Sequence, residues 1–360
     1  MNHSVLEKLK KWTRKDKASP EKVQIYPTNK CNLKCIFCAQ RLEEYGYERE
    51  VSKERWIEIV KEISNMNVNR ILISGGGEPF CRRETTLEIM GIVKENGLEG
   101  RLITNGTIMN KKTCRRIVEM EWDTLVFSID GSNANTHDSL RGREGTFGKI
   151  MRNVRMLNEV KDDKRFPRLE INFVLNGKNY REVPEMIKLG QNLGTESINF
   201  EPLTVNNPRD EKLKLDKEQR EELREEIIPE AKKLLESESI ELSTNLDVLE
   251  NIKAEKAGEM KEEIEKAANT QGKASLVDSS CYEPWLWPKI EPNGDVWPCS
   301  TAPLHENIKD KPFEEIWFGQ KFNEFRDSVK RGNLPEDCEN CVTTHVEINK
   351  EIRQDLKKGM

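Results

Sequence analysis

Long hydrophobic runs are missing from this 360-residue chain. No apolar stretch approaches the roughly 20 residues that a bilayer-spanning helix needs. The N-terminus also lacks the short apolar core of a secretory signal, since Met1 to Lys22 is polar and lysine-rich. Both absences predict a cytoplasmic protein with no membrane partner. A basic excess is missing too. The formal net charge is −5, and residues 205–280 hold 13 Lys plus Arg against 20 Asp plus Glu, so nothing advertises a nucleic-acid partner. The lysines between Lys8 and Lys22 read as a solvated helix face. Histidine is scarce: His3, His137, His305 and His345 lie far apart, which leaves mixed Cys–His zinc motifs without their histidines.

Cysteine is present in number, nine in all. In a reducing compartment these are unlike a disulfide framework, and their spacings are those of metal sites. Three fall in eight residues, Cys31-Asn32-Leu33-Lys34-Cys35-Ile36-Phe37-Cys38, directly after the strand-like run Val23-Gln24-Ile25-Tyr26-Pro27. Thiolates select zinc, copper(I) or iron–sulfur clusters, and three of them on one short loop leave a coordination position without a local ligand. An open position invites a substrate or a cofactor.

Downstream, short apolar runs alternate with helical patterns. Ser52 opens a helix with Trp56, Ile59, Val60 and Ile63 on one face. The runs Arg70 to Ser74, Arg101 to Ile103, Thr124 to Ile129, Leu169 to Leu175 and Ser197 to Phe200 complete six strands joined by helices, a spacing that permits only parallel crossovers. The expected fold class is α/β, a partial (β/α)6 TIM-like barrel over residues 23–204, with its sites at the C-terminal ends of the strands. Before it lies a basic extension, 1–22. After it, 205–280 reads as a charged helical linker or insert, with helices Lys217 to Ser237, interrupted by Pro229, and Leu246 to Ala268. Residues 281–345 form a second module and 346–360 a tail. In that module Lys289 to Glu291, the turn Pro292-Asn293-Gly294-Asp295 and Val296-Trp297 predict a β-hairpin. A helix with Ile316, Trp317, Phe322, Phe325 and Val329 on its packing face follows.

The strand at Arg70 runs into Gly75-Gly76-Gly77-Glu78-Pro79, where missing side chains let backbone groups approach a ligand and one carboxylate stands among them. Taken with the cysteine loop and the aromatic Phe37 before its third Cys, this resembles the radical S-adenosylmethionine (radical SAM) superfamily. The resemblance implies that Cys31, Cys35 and Cys38 hold a [4Fe–4S] cluster whose fourth iron is chelated by SAM. Reductive cleavage of SAM would then give a 5′-deoxyadenosyl radical that abstracts a substrate hydrogen, with an external one-electron reductant of flavodoxin or ferredoxin type. It also implies that Gly76, Gly77, Glu78 and Pro79 bind the SAM ammonium. Ser128, Asp130 and Arg141 would meet the ribose or the methionine carboxylate, and Leu203 would pack on adenine.

Cys281, Gly294 and Cys299, then Cys338-Glu339-Asn340-Cys341, resemble a SPASM domain shortened toward the twitch type. That implies an auxiliary [4Fe–4S] cluster on Cys281, Cys299, Cys338 and Cys341, although four thiols are also a common structural zinc set. Cys114 lies on an apolar helix stripe and reads as core. Cys81, three residues after Glu78, is a candidate hydrogen donor to a substrate radical, with a plain buried thiol as the simpler alternative. The expected activity is oxidation of a small polar substrate, a sugar or cyclitol alcohol, with the auxiliary cluster as electron acceptor. Peptide maturation and radical epimerisation are the alternatives, the first weakened by the mere 30 residues before Cys31. A non-catalytic zinc-binding protein is the alternative of another class.

Overall fold

The computed structural model describes residues 3–38, 50–205, 210–237, 242–250, 276–279, 281–300, 302–309, 311–335, 338 and 343–358. Six parallel strands, β1 (Lys22–Ile25), β2 (Arg70–Ile73), β3 (Glu99–Thr104), β4 (Thr124–Ser128), β5 (Arg168–Leu175) and β6 (Ser197–Pro202), pair in sequence order. All but β4, where Thr124–Phe127 are buried in succession, alternate: Val23, Ile25, Ile71, Ile73, Leu102, Ile171, Phe173, Ile198 and Phe200 are buried against the helices. Gln24, Arg101, Glu170, Asn172 and Asn199, half-buried, face the inner side of the curved sheet. In those strands a period of two with one apolar face fixes the register.

The crossover helices include α1 (Lys53–Ser64), α2 (Arg83–Glu95), α3 (Lys111–Glu119), α4 (Ala134–Arg141), α5 (Thr146–Lys161) and α6 (Val183–Asn192). Ser52 caps α1 by accepting from the Arg55 N–H, and Trp56, Ile59, Val60 and Ile63 are buried beneath it. Helix α4 is an addition to what the sequence pattern revealed. The helical run at Lys217 continues through Pro229 to Ser237 rather than breaking: a π turn at Leu223–Ile227, with the Ile228 N–H bonded to the Leu223 carbonyl, accommodates the proline that follows. Of the expected helix Leu246 to Ala268, Leu246–Glu250 is helical and the remainder lies outside the described residues.

The sheet does not stop at six strands. β7 (Ser243–Thr244) adds in parallel to β6, and the hairpin of β8 (Lys289–Ile290) and β9 (Asp295–Trp297) joins the other edge, with β8 parallel to β1. β10 (Glu306–Asn307) closes that edge, giving ten strands in the order β10-β9-β8-β1-β2-β3-β4-β5-β6-β7. The N-terminal helix His3–Thr13 also differs from a solvated basic arm. Its Val5 and Leu9 pack with Tyr282, Trp285, Leu286, Ile352 and Leu356, and Lys8 is buried with its Nζ donating to the Pro20 carbonyl at 2.7 Å.

Candidate active site

The cysteine loop leaves the end of β1 and is gripped from three sides. On the first side, segment 28–30 runs beside the glycine loop: the Gly77 N–H donates to the Thr28 carbonyl (2.7 Å) and the Glu78 N–H to that of Lys30 (2.8 Å). A Cβ on Gly77 would overlap the Lys30 carbonyl, and Gly76 (φ +63) would meet the Thr28 carbonyl. Those glycines therefore clear space for the backbone that carries Cys31, a use the sequence did not disclose.

On the second side, Asn32 is clamped by the turn after β3. The Asn105 Nδ2 donates to its Oδ1 (3.0 Å), and its own Nδ2 donates to Thr107 Oγ1 (2.7 Å). The third side is the C-terminus of α4, whose last carbonyls have no helical partner. The Ile36 N–H bonds to the Leu140 carbonyl (2.9 Å), the Lys34 N–H to that of Arg141 (3.3 Å), and Arg143 Nη1 reaches the Asn32 carbonyl (2.9 Å). Gly142, at φ +67, lies so close to the Lys34 carbonyl that a Cβ would overlap it. Sequence signals for this helix existed, in Asn133 as N-cap accepting from the Thr136 N–H and in Gly142 as the left-handed cap.

Arg141 is buried and faces the thiols. One guanidinium nitrogen lies 2.5 Å from Asp130 Oδ2, another donates to Cys35 Sγ at 3.6 Å, and the group sits 5.6 Å over the Phe37 ring. Burial opposes its charge, but Asp130 and the Cys35 thiol outweigh burial and hold its pKa above the usual range. Asp130 is fully buried. Burial pushes its carboxyl up while Arg141 and the Val174 N–H, bonded at 2.9 Å, pull it down. His137 accepts the Asp130 N–H at Nδ1, and burial pushes it down to about 3, so it stays neutral. Burial also pushes the Cys31 thiol up to about 12, which a metal reverses by binding the thiolate.

Glu78 faces inward. Its carboxylate, 2% exposed, accepts from the Thr104 hydroxyl (2.7 Å), the Asn105 N–H (2.7 Å) and the Phe80 N–H (3.1 Å), so it ties the loop after β2 to the loop after β3. Burial pushes its carboxyl up against the pull of those donors. Pro79 opens the short turn Pro79–Arg82 that contains Cys81. The half-buried Cys81 thiol lies beside the Asn32 backbone of the cysteine loop, and burial pushes its pKa up against the smaller pull of that backbone N–H. Ser128 ends β4 level with Asn172, and Leu203 follows β6 with its N–H on the Leu175 carbonyl (3.0 Å); both are half-buried.

In the second module the Asn293-Gly294 turn forms, with Gly294 at φ +92 and the Glu291 N–H on the Asp295 carbonyl (2.8 Å). Cys299 is buried. Cys281 is half-buried and its sulfur accepts from Asn349 Nδ2 at 3.7 Å, while Asn349 Oδ1 takes the Tyr282 N–H. Cys338 lies in a short turn, and Cys341 lies outside the described residues. Among the described residues, no three His, Cys, Asp or Glu side chains gather around one ion position. Three thiols on one loop, with no histidine among them and faced by the Arg141 cation, fit an anionic iron–sulfur cluster.

Residues 25–190 match the model of the radical SAM superfamily, and 281–342 match that of an iron–sulfur cluster-binding domain, SPASM. The chain is a radical SAM enzyme. Within that superfamily it belongs to the members with a C-terminal SPASM-type auxiliary cluster domain, and its cofactors are SAM, the [4Fe–4S] cluster that binds it and auxiliary iron–sulfur. It is 27% identical over 300 residues to an AdoMet-dependent heme synthase of Methanosarcina barkeri, covering 82% of each chain. It is 22% identical over 331 residues to a PqqA peptide cyclase of Rhizobium meliloti, covering 89% of this chain and 79% of that one. Its fold is similar to that of Streptococcus suis SuiB bound to S-adenosylmethionine, with TM-score 0.67 and 18% identity over 89% of this chain and 70% of SuiB. No helix among the described residues is long and apolar enough to cross a membrane.

The inward Glu78 carboxylate leads to a specific expectation. Glu78→Gln leaves one oxygen for the Thr104 and Phe80 donors but sets an amide N–H against the buried Asn105 N–H. It should cost about 2–4 kcal/mol of stability, read as the denaturant midpoint of cluster-loaded protein. SAM affinity in the folded fraction should change little. An unchanged midpoint with SAM binding weakened tenfold would instead return the carboxylate to the cofactor's ammonium.

Proposed function

We propose that this enzyme oxidises a peptide substrate by two electrons, holding it on one continuous face between the SAM site and the auxiliary site. The observation that carries this is the parallel pairing of β8 with β1. Register sets Arg101 opposite Leu72, Leu72 opposite Gln24, Gln24 opposite Lys289 and Lys289 opposite Trp297, two residues before Cys299. At the near end of the row, the Gly75 backbone lies against the Tyr26 ring, and Gln24 Nε2 donates to the Tyr26 hydroxyl (3.1 Å) and to Ser74 Oγ (2.8 Å). Lys289 Nζ, 2.9 Å from Glu291, lies over both the Tyr26 ring (5.8 Å) and the Trp297 ring (5.2 Å). The His305 ring, packed on Trp297 at a tilt of 36° (centroids 4.7 Å), extends the face outward.

When bound, SAM on its cluster supplies the hydrogen-abstracting radical and the auxiliary cluster supplies an electron acceptor. The chain's own part is to place a substrate carbon between them and to keep its polar groups bonded along this row, while a flavodoxin- or ferredoxin-type donor provides the initiating electron from outside. We take Gly76, Gly77 and Pro79 as the rim of the SAM site and Arg141, Ser128 and Leu203 as its remaining wall. The sugar or cyclitol alcohol that the sequence suggested has no counterpart in the relatives above, one of which is named for cyclising a peptide.

The test incubates anaerobically reconstituted protein with SAM and dithionite, in one arm with pooled synthetic peptides and in the other with sugar and cyclitol alcohols. Peptides should stimulate 5′-deoxyadenosine formation and yield products two hydrogens lighter. Stimulation by the alcohols alone would return the assignment to small substrates, and a product of unchanged mass would point to epimerisation.

A further inference from the structure

Helix Gln320–Lys330 buries a cation that no acid among the described residues pairs with. Arg326 is 2% exposed. Its Nε donates to the Pro284 carbonyl (2.8 Å), and its Nη1 donates to the Trp317 carbonyl (2.7 Å) and to Asn323 Oδ1 (3.0 Å). Its Nη2 has no hydrogen-bond partner among the described residues. The guanidinium lies 4.1 Å from the Trp317 ring centroid and 4.7 Å from that of Trp12, with Phe322 at 5.9 Å. Burial alone pushes its pKa down, to about 9, which leaves it protonated at neutral pH. Carbonyl dipoles and ring faces soften such burial, yet a full charge out of water normally requires a counter-charge.

That counter-charge has a place nearby. Pro284 is three peptide links from Cys281, which keeps their Cα atoms within about 11 Å of each other. Phe325, the residue before Arg326, packs in one apolar cluster with Cys299, Tyr282 and Trp285, against which Cys281 also packs. We propose that Arg326 is the fixed counter-charge of the auxiliary cluster and raises its reduction potential. One-electron reduction adds one negative charge and breaks no bond, so a cation held in an apolar surround favours the reduced form. This deepens the two-electron oxidation proposed above, because a cluster with a raised potential is the better acceptor for the electron a substrate radical must lose.

The experiment is a dithionite-poised titration of the cluster-loaded enzyme, followed by electron paramagnetic resonance without substrate or SAM. A wrong substrate class therefore leaves the result intact, and the SAM-binding cluster is the internal control. Arg326→Gln should lower the auxiliary midpoint by at least 59 mV, a tenfold change in a one-electron equilibrium, and leave the other midpoint unmoved. Arg326→Lys, which keeps the charge, should stay near the wild-type value. Should the Gln variant fail to fold, Asn323→Asp replaces it: a carboxylate 3.0 Å from Nη1 neutralises the guanidinium without removing it and should lower the same midpoint. An auxiliary midpoint unchanged in a folded neutralised variant would make Arg326 a strut between Pro284 and Trp317 and overturn the proposal.

Discussion

Replacing Cys31, Cys35 and Cys38 together by Ala is expected to bring 5′-deoxyadenosine formation to background while removing roughly half of the bound iron, the share of one of two four-iron clusters. The loop these residues occupy is built for one purpose. Its backbone is satisfied from outside, by Gly77 and Glu78, by Asn105 and Thr107 through Asn32, and by Leu140, Arg141 and Arg143 at the end of α4. The thiols themselves carry little of that hydrogen bonding, so their loss should leave the loop and the barrel folded. Cys281 and Cys299 pack instead with Tyr282, Trp285 and Phe325 in a separate apolar cluster, and their iron should remain. The measurement is iron content and 5′-deoxyadenosine yield in the same anaerobic preparation. SAM cleavage persisting in a folded triple variant would refute the placement of the SAM-binding cluster.

Much of this arrangement was legible in the residues, and what was hidden shares a cause. Alternation in runs such as Leu169 to Leu175 has a period of two with one apolar face, so strand and facing are local properties that survive into the fold. The cysteine spacing and the glycine loop were equally local. What the glycines are for was not. Whether Gly77 clears room for a ligand or for the Lys30 carbonyl depends on which segment lies alongside, and that is decided by the sheet order. Glu78 is the same case: a carboxylate among glycines looks available, yet the turn after β3 brings Thr104 and Asn105 onto it.

The pairing of β8 with β1 joins two-residue stretches some 265 positions apart in sequence, and no short-range signal specifies such a contact. Lys8, one lysine in a basic run, is buried only because Val5 and Leu9 on the same helix find the apolar cluster of the C-terminal module. In each case a side chain's type was informative about what it can do. Its neighbour decided what it does.

Removing the auxiliary site should separate the two events that the proposed oxidation couples. Abstraction of a hydrogen atom leaves a carbon radical on the substrate, and a two-electron oxidation is complete only when one further electron and a proton leave. The row from Gln24 through Lys289 to Trp297 crosses from β1 to β9 and ends two residues before Cys299, so under the proposed oxidation the acceptor is the auxiliary cluster. Cys281→Ala with Cys299→Ala should therefore retain SAM cleavage, because the cysteine loop after β1 makes its own contacts elsewhere, but form at least tenfold less of the product two hydrogens lighter. The radical would then be quenched by solvent or by reductant, and in deuterated buffer the recovered substrate should carry deuterium. Cys81 offers a competing outcome. Its thiol is half-buried beside the Asn32 backbone of the cysteine loop, so it should not be the quenching donor, and Cys81→Ala in the intact background should leave product yield near wild type. The diagnostic comparison is the ratio of oxidised product to 5′-deoxyadenosine across the two variants. A ratio unchanged in the double cysteine variant would hand the second electron to an acceptor other than that cluster, whereas a wild-type product of unchanged mass that carries deuterium and is lost in Cys81→Ala would replace oxidation by a net-neutral reaction; either leaves the radical SAM assignment as it stands.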